Sequence, residues 1–158
     1  MPRDPRKVEK REIKPDIRYN SLLVSKFINK TMRRGKKQLA TRLVYGAMNI
    51  IKERTKKNEL EIFEQAIKNV TPVIEVKSRR IGGANYQVPV EVRGSRKTHL
   101  AINWVLDSVK EKKGKSFDKC LAEELIDAHE NKGGAIKKKE TVQKMAEANR
   151  AFAHLARY

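Results

Sequence analysis

Clustered lysine and arginine side chains are the groups in this sequence best suited to chemistry, and that chemistry is the binding of anions. Lys and Arg number 37 against 19 Asp and Glu, which gives a net charge of +18. No acid occurs between Asp16 and Glu53, and residues 19–52 carry eight cations. A coat that serves only solubility mixes charges of both signs. Segregated positive charge indicates instead that several basic elements converge on one polyanion, and nucleic acid is the leading candidate.

Four groups of cations are candidate phosphate ligands. They are Arg33-Arg34-Gly35-Lys36-Lys37, Lys77 with Arg79 and Arg80, Arg93 with Arg96 and Lys97, and Lys137-Lys138-Lys139. The first group precedes a predicted helix, whose N-terminal amides and dipole suit phosphate. The last group spreads over about 200° of a helix, so part of it is expected to be only solvated. An ordinary solvated basic face is the alternative for each group.

The second group lies near the tip of a predicted hairpin. Gly82 and Gly83 allow a backbone to approach a ligand closely there, and paired arginines can fork onto phosphates. Tyr86 can either stack on a base or cover the arm. The alternative to a binding tip is a hairpin packed on its own domain.

The residues that enzymes need do not occur at their usual spacings. Gly35-Lys36 is followed by Lys37, where a P-loop requires Ser or Thr. Gly82-Gly83 lacks the third glycine of a dinucleotide site. None of the three histidines has a metal-ligand or triad pattern beside it. We therefore predict no enzyme activity, no cofactor and no metal site.

Several remaining polar residues have ordinary structural interpretations. Glu123 and Glu124 are adjacent on a predicted helix and suit a solvated surface. Cys120 is interpreted as a small core residue, and a lone cysteine excludes a disulfide framework, which favours a reducing aqueous compartment. Aromatic residues make up only 6%. That fraction argues against a base-stacking platform, so recognition of the phosphate backbone is expected.

The hydrophobic pattern predicts a mainly α fold, with six helices and a protruding two-stranded β-hairpin arm in one domain. Its parts are an extended basic arm at 1–18, three helices within 19–71, the hairpin at 73–92, three helices within 95–153 and a tail at 154–158. The arm is rich in proline and charge, so it is expected to be unstructured until it binds. No run of about 20 apolar residues occurs, which argues against a membrane segment. The N-terminus also lacks the apolar region of a secretory signal.

Capping residues and apolar stripes set the expected helix limits. Asn20 or Ser21 caps the first helix, and an Asn58–Glu61 capping box begins the third, which Pro72 ends. The second helix covers about 36–54. Its main inward stripe is predicted to consist of Leu39, Leu43, Ala47 and Ile50, with Ala40, Val44 and Ile51 beside it.

The period then changes from 3.6 to 2, which indicates strands at about 73–79 and 86–92 joined by a turn at 80–85. Ser95 and Ser116 are predicted to cap the fourth and fifth helices. Gly133-Gly134 breaks the chain before a last helix at about 135–153. The inward residues of that helix are predicted to be Val142, Met145, Ala146, Asn149 and Phe152.

Two other functional classes remain open at this point. An architectural DNA-binding protein can also insert a basic β-arm into a groove, and it would bind duplex DNA tightly. An RNA-modifying enzyme should show a cofactor loop or an acid–base cluster, and the sequence shows neither.

Four segments closely resemble the S-seven family of small-subunit ribosomal proteins, of bacterial or organellar type. They are Gly35-Lys36-Lys37, residues 58–76, residues 79–93 and residues 144–154. The resemblance covers nearly the whole chain in the same order, and residues 79–93 are highly specific. Two departures stand out. Gly94 follows Arg93 where the family often has proline, which leaves the cap to Ser95, and the last residues, 155–158, vary in the family.

The resemblance implies a helical bundle with a β-arm that is a structural constituent of the small ribosomal subunit. It implies a primary binder of the 3′ major domain of 16S rRNA that nucleates assembly of the 30S head. It places the protein near the exit-site tRNA and the mRNA path, with proteins of the S-nine, S-eleven and S-thirteen families as neighbours. The location implied is the ribosome of the cytoplasm, or of an organelle if the gene is organellar. In some bacteria the family also represses its own operon. The resemblance implies no membrane and no small-molecule substrate.

The resemblance also implies which residues bind RNA. Those carried over by position are Arg3, Arg6, Lys10, Arg11, Lys36, Lys37, Arg79 and Arg80. Arg150, in the last matching segment, joins the four cation groups in the RNA-binding set. The arm turn that reaches the exit site is expected to consist of Gly82, Gly83, Asn85 and Tyr86.

Overall fold

The computed structural model describes residues 12–157 and is mainly α with a two-stranded antiparallel hairpin, as predicted. The elements follow in order. They are α1 (Leu22–Thr31), α2 (Lys37–Thr55), α3 (Glu59–Val70), β1 (Ile74–Ile81), β2 (Ala84–Glu91), α4 (Ser95–Glu111), α5 (Phe117–His129), α6 (Gly134–Ala148) and a C-terminal 3-10 helix (Arg150–Arg157). No helix among residues 12–157 is long and apolar enough to cross a membrane.

The core forms around α5, which packs against α2, α3, α4 and α6. Leu121 and Leu125 of α5 are completely or almost completely buried. Phe27 of α1 and Phe63 of α3 meet edge to face, with ring centroids 5.3 Å apart, an arrangement that the aromatic quadrupole favours. Cys120 is buried in the same cluster, as predicted.

The predicted limits of α3 are confirmed in detail. Asn58 Oδ1 accepts a hydrogen bond from the backbone N–H of Leu60 at 3.0 Å, and its amide nitrogen donates to Glu61 Oε1 at 3.1 Å. The helix ends at Val70, two residues before Pro72. In α1, Ser21 occupies the cap position, but its side chain makes no capping hydrogen bond.

The predicted inward stripe of α2 is confirmed only in part, because Ala47 is buried but Leu43 and Ile50 are only partly buried. Leu39 is 49% exposed, whereas Ala40, Val44, Ala47 and Ile51 are buried. The sequence offers two adjacent apolar stripes on this helix, and contact with α5, α1 and α3 selects the one that includes the small Ala40.

The turn of the hairpin is shorter than predicted. The strands pair from Ile74 with Glu91 to Ile81 with Ala84, which leaves only Gly82 and Gly83 unpaired. Their φ angles of +56° and +89° suit a two-residue hairpin turn, and glycine adopts them without strain. The predicted turn at 80–85 is therefore wrong, because its outer residues continue the ladder.

The cap predicted for α4 is also wrong. Gly94, with φ +51°, holds the cap position, and Ser95 is the first helical residue. The glycine at the departure from the family's proline thus provides a backbone conformation that proline cannot adopt.

The last helix is shorter than predicted. The α-helix ends at Ala148, and the 3-10 helix continues the chain through the predicted tail. Val142 and Ala146 are buried as expected, but Met145 is 44% exposed. The tighter 3-10 turn directs Phe152 toward the hairpin, where its ring lies 5.3 Å from that of Tyr86.

Glu124 is completely buried, contrary to its predicted place on a solvated surface. Its Oε1 accepts a hydrogen bond from the backbone N–H of Ala135 at 2.9 Å, and its Oε2 lies 2.8 Å from Lys112 Nζ. Gly133 and Gly134 bring the start of α6 close to this carboxylate, and a Cβ at Gly134 would collide with Ser108 Oγ. The carboxylate therefore caps α6 from the neighbouring helix.

Candidate RNA-binding surface

Residues 19–52 include no acid and carry eight cations. None of them forms an ion pair with any residue between 12 and 157. Ion pairs gather instead around α5, where Arg54 and Lys115 both approach Glu123. Seven of the eight cations lie on α1, in the α1–α2 loop and in the first half of α2, while Lys52 lies in the last turn of α2.

Cations of α1 and polar side chains at the start of α4 line a cavity of about 320 Å³. Lys26 and Lys30 come from α1, and Ser95, Thr98 and His99 come from α4. Partial burial lowers the pKa of His99, and the positive charges of Lys30 and Arg96 lower it further. Both effects favour the neutral imidazole.

Two helix N-termini face solvent beside these cations. Neither α2 nor α4 has a side-chain cap or an acid in its first turn. Their first amide N–H groups, those of Lys37, Arg96 and Lys97, donate to carbonyl oxygens of the preceding turns. No acid in either first turn offsets the positive end of the helix dipole. Arg33, Arg34, Lys36 and Lys37, the first predicted group, are all exposed at the start of α2.

The group at the base of the hairpin is divided by an acid. Glu75, 7% exposed, lies 3.0 Å from Lys77 Nζ and accepts hydrogen bonds from Arg96 at 3.1 and 3.2 Å. Burial alone would raise the pKa of Glu75, but the hydrogen bonds from Lys77 and Arg96 outweigh it and lower the pKa. Arg93 lies 3.7 Å from Glu91 in an exposed pair. Lys97 alone in this group has no acidic partner among residues 12–157.

The two arginines near the hairpin tip point to opposite faces. Arg79 pairs with Tyr86 and Arg80 with Asn85, and successive side chains alternate across a strand. Tyr86 is half-buried against Phe152, so it covers the arm, one of its two predicted roles. Arg80 is exposed together with Gly82, Gly83 and Asn85.

The lysine run of α6 is also divided. Lys137 and Lys138 are exposed, whereas Lys139 Nζ donates a hydrogen bond to the carbonyl oxygen of Asn69 at the end of α3. The ammonium group thereby satisfies an orphan carbonyl at a helix C-terminus. Arg150 is exposed at the start of the 3-10 helix. The remaining predicted ligands, Arg3, Arg6, Lys10 and Arg11, lie outside the described residues.

No three Asp, Glu, His or Cys side chains among residues 12–157 are grouped so that they could hold a metal ion. The model of the ribosomal protein S7p/S5e family matches residues 2–150. The chain belongs to this family of ribosomal proteins. Its members are structural and non-enzymatic, which confirms the prediction that the chain is not an enzyme and confirms the resemblance read from the sequence.

Curated relatives match over almost their whole length, and each is named small ribosomal subunit protein uS7. The relative from Pelotomaculum thermopropionicum is 59% identical over 93% of this chain and 94% of its own. The relative from Chloroflexus aggregans is 58% identical over 95% and 96%, and that from Nitrosomonas europaea is 53% identical over 98% of both chains.

Three cations on this surface were not predicted as RNA ligands from the sequence. Lys26 and Lys30 lie in the cavity beside α4, and Arg18 lies beside α2. Lys26 and Lys30 belong to the acid-free stretch, and that signal could have found them. Arg18 falls within the predicted unstructured arm, so only the fold reveals its place.

Proposed function

We propose that the chain is a structural constituent of the small ribosomal subunit and binds its rRNA through the acid-free end of the helical body. The observation that carries this proposal is a set of cations without acidic partners among residues 12–157, which lie on α1, in the α1–α2 loop and, at Lys97, in the first turn of α4. These cations lie beside two uncapped helix N-termini. Phosphates are the anions that such amides and cations hold together.

The finer proposal is that the target is the 3′ major domain of 16S rRNA and that binding nucleates assembly of the 30S head. It is supported by the family and by the resemblance of residues 79–93. The exposed tip of the hairpin, from Arg80 to Asn85, suits a contact with the exit-site tRNA and the nearby mRNA.

Protein neighbours belong to the same proposal. Ribosomal proteins of the S-nine, S-eleven and S-thirteen families are the expected partners, on the resemblance alone. Exposed apolar side chains at the foot of the hairpin and on α6, namely Val73, Ile74 and Met145, offer such neighbours a surface. Repression of the protein's own operon, where it occurs, would use the rRNA-binding surface for an mRNA.

The proposal is tested by binding the full chain to a transcript of the 3′ major domain across a salt series, with tRNA and duplex DNA as competitors. Counterion release gives a slope of about −0.7 to −0.9 in log K per log salt for each phosphate contacted. We expect a slope of several units and binding that survives both competitors. Equal displacement by tRNA and duplex DNA would mean that charge alone acts, and preference for the duplex would favour a DNA-binding protein.

A further inference from the structure

We propose that the cavity between residues 17–18 and the first half of α2 holds an unpaired RNA nucleotide, with its base stacked on the guanidinium plane of Arg18. The inference rests on the proposed function, because it requires the chain to bind RNA. It goes further by assigning single-strand recognition to a site distinct from the cation-lined cavity beside α4.

The guanidinium of Arg18 lies over two tyrosine rings. Its central carbon lies 5.1 Å from the ring centroid of Tyr19 and 5.4 Å from that of Tyr45. Arg18 Nη2 also donates a hydrogen bond to Asn49 Oδ1 at 2.9 Å. The residue remains exposed, so the guanidinium is accessible to a ligand although the rings hold it in place. Guanidinium planes of this kind stack unpaired bases in RNA complexes.

A carboxylate fixes this platform to α2. Asp16 accepts hydrogen bonds from Tyr45 Oη at 2.9 Å and from the backbone N–H groups of Arg18 and Tyr19 at 3.1 and 3.2 Å. These contacts join the segment before α1 to a helix about 30 residues away in sequence. The platform is therefore organised before any ligand arrives, which lowers the ordering cost of binding.

The cavity beside the platform has the size and the chemical groups for a nucleotide. Its volume is about 730 Å³, within the range of small-molecule sites. Lys37 and Arg42 line it and have no acidic partner among residues 12–157, so they can hold a phosphate. Gln38 and Asn49 supply amides for a base edge.

Ile17 distinguishes this cavity from a phosphate-binding groove. Its side chain is 100% exposed on the rim. An apolar side chain contributes nothing to a phosphate but contributes contact area to a base. A guanidinium plane, an apolar rim, amides and cations together fit a nucleotide whose base is free of a duplex. The low aromatic content of the chain does not exclude this site, because a guanidinium plane can stack on a base without an aromatic ring.

Arg18→Lys is the decisive variant because it keeps the charge and removes the plane. The probes are a single-stranded RNA oligonucleotide carrying 2-aminopurine and the same strand in a duplex. We expect the full wild-type chain to quench the fluorescence of the single strand but not of the duplex. We expect Arg18→Lys to lose that quenching and to bind the strand roughly tenfold more weakly, with an unchanged salt slope. Arg54→Lys, at the far end of α2, is the matched control and should behave as wild type.

Two further measurements separate the possible outcomes. Ile17→Ser changes a fully exposed side chain, so it leaves the melting temperature unchanged and should still weaken strand binding about threefold. If Arg18→Lys and Ile17→Ser both bind the strand as wild type does, the inference is overturned. Continued tight binding of the 3′-domain transcript in that case leaves the proposed function intact. Failure of the wild type to bind the transcript overturns both.

Discussion

At the scale of single residues, Glu124 is the most completely buried charged side chain among residues 12–157. It satisfies Lys112 on one side and the first turn of α6 on the other. Removing one partner of a buried pair costs about 3–5 kcal/mol, because an uncompensated polar group remains. Lys112 is partly exposed and also reaches Asp127 at 3.5 Å, which places the cost at the lower end.

We therefore expect Glu124→Ala to lower the free energy of unfolding by about 3 kcal/mol in urea titrations. Glu123→Ala is the natural control, since that carboxylate is partly exposed and its ion pairs contribute less than about 1 kcal/mol. Equal losses from the two substitutions would show that the buried pair has no special weight.

The same residue predicts a dependence of stability on pH. Burial alone would raise the pKa of Glu124, but hydrogen bonds from Lys112 and the Ala135 N–H outweigh it, and the net pKa lies below 4.5. A depressed folded-state pKa gives stability that is present above the unfolded-state pKa and is lost as the pH falls through the folded-state pKa. The wild type should therefore lose stability below about pH 4.5. Glu124→Gln should lose less over the same range when both are unfolded in urea, and parallel pH profiles would contradict this.

At the scale of elements, the pleat of the hairpin separates two neighbouring arginines. Arg80 is exposed, whereas Arg79 shares its face with Tyr86, which packs on Phe152. We expect Arg80→Ala to weaken transcript binding without changing the melting temperature. The magnitude of the salt slope should fall by about one unit, the value for one lost phosphate contact. Arg79→Ala should lower the melting temperature as well. The same thermal effect from both variants would indicate that the arm is not divided in this way.

The segment before α1 gives a second prediction for an element. Residues 12–18 are expected to contribute more to stability than residues 1–11, because Asp16 and Arg18 hold residues 12–18 onto α2. Deleting 1–11 should weaken RNA binding and leave the unfolding free energy unchanged. Deleting 1–18 should also cost about 1–3 kcal/mol, from lost charge-assisted hydrogen bonds and cation–π contacts. Thermal and urea unfolding of the two truncated chains and of the full chain measure this difference in stability.

At the scale of the whole molecule, local patterns predict most elements but not their partners. Caps and periodicity located α1, α3 and the two strands because those signals lie within a few residues of each element. The inward stripe of α2 and the burial of Glu124 depend on helices that arrive later in the chain. A pattern confined to one helix contains no information about them.

The candidate surface also combines features that the sequence predicts with features that only tertiary contacts reveal. Composition alone predicted that cations of residues 19–52 face an anion, since no acid lies nearby in sequence. Composition could not show that Arg96 is paired with Glu75, 21 residues away, or that Lys139 closes the end of α3. Those contacts follow from tertiary packing, and they reduce the predicted RNA ligands to the ones that remain unpaired.

The most direct test of the account compares two charge-matched variants of the full chain. One replaces Lys26, Lys30, Lys36 and Lys37 with alanine, at the end without acidic partners. The other replaces Lys110, Lys113, Lys115 and Lys119, between the end of α4 and the start of α5, where Asp107 and Glu123 form ion pairs. The salt dependence of binding to the 3′-domain transcript is measured for both. We predict that the first variant loses about two to four units of slope, while the second keeps the wild-type value. Equal reductions in slope would contradict the claim that one end of the molecule binds the RNA.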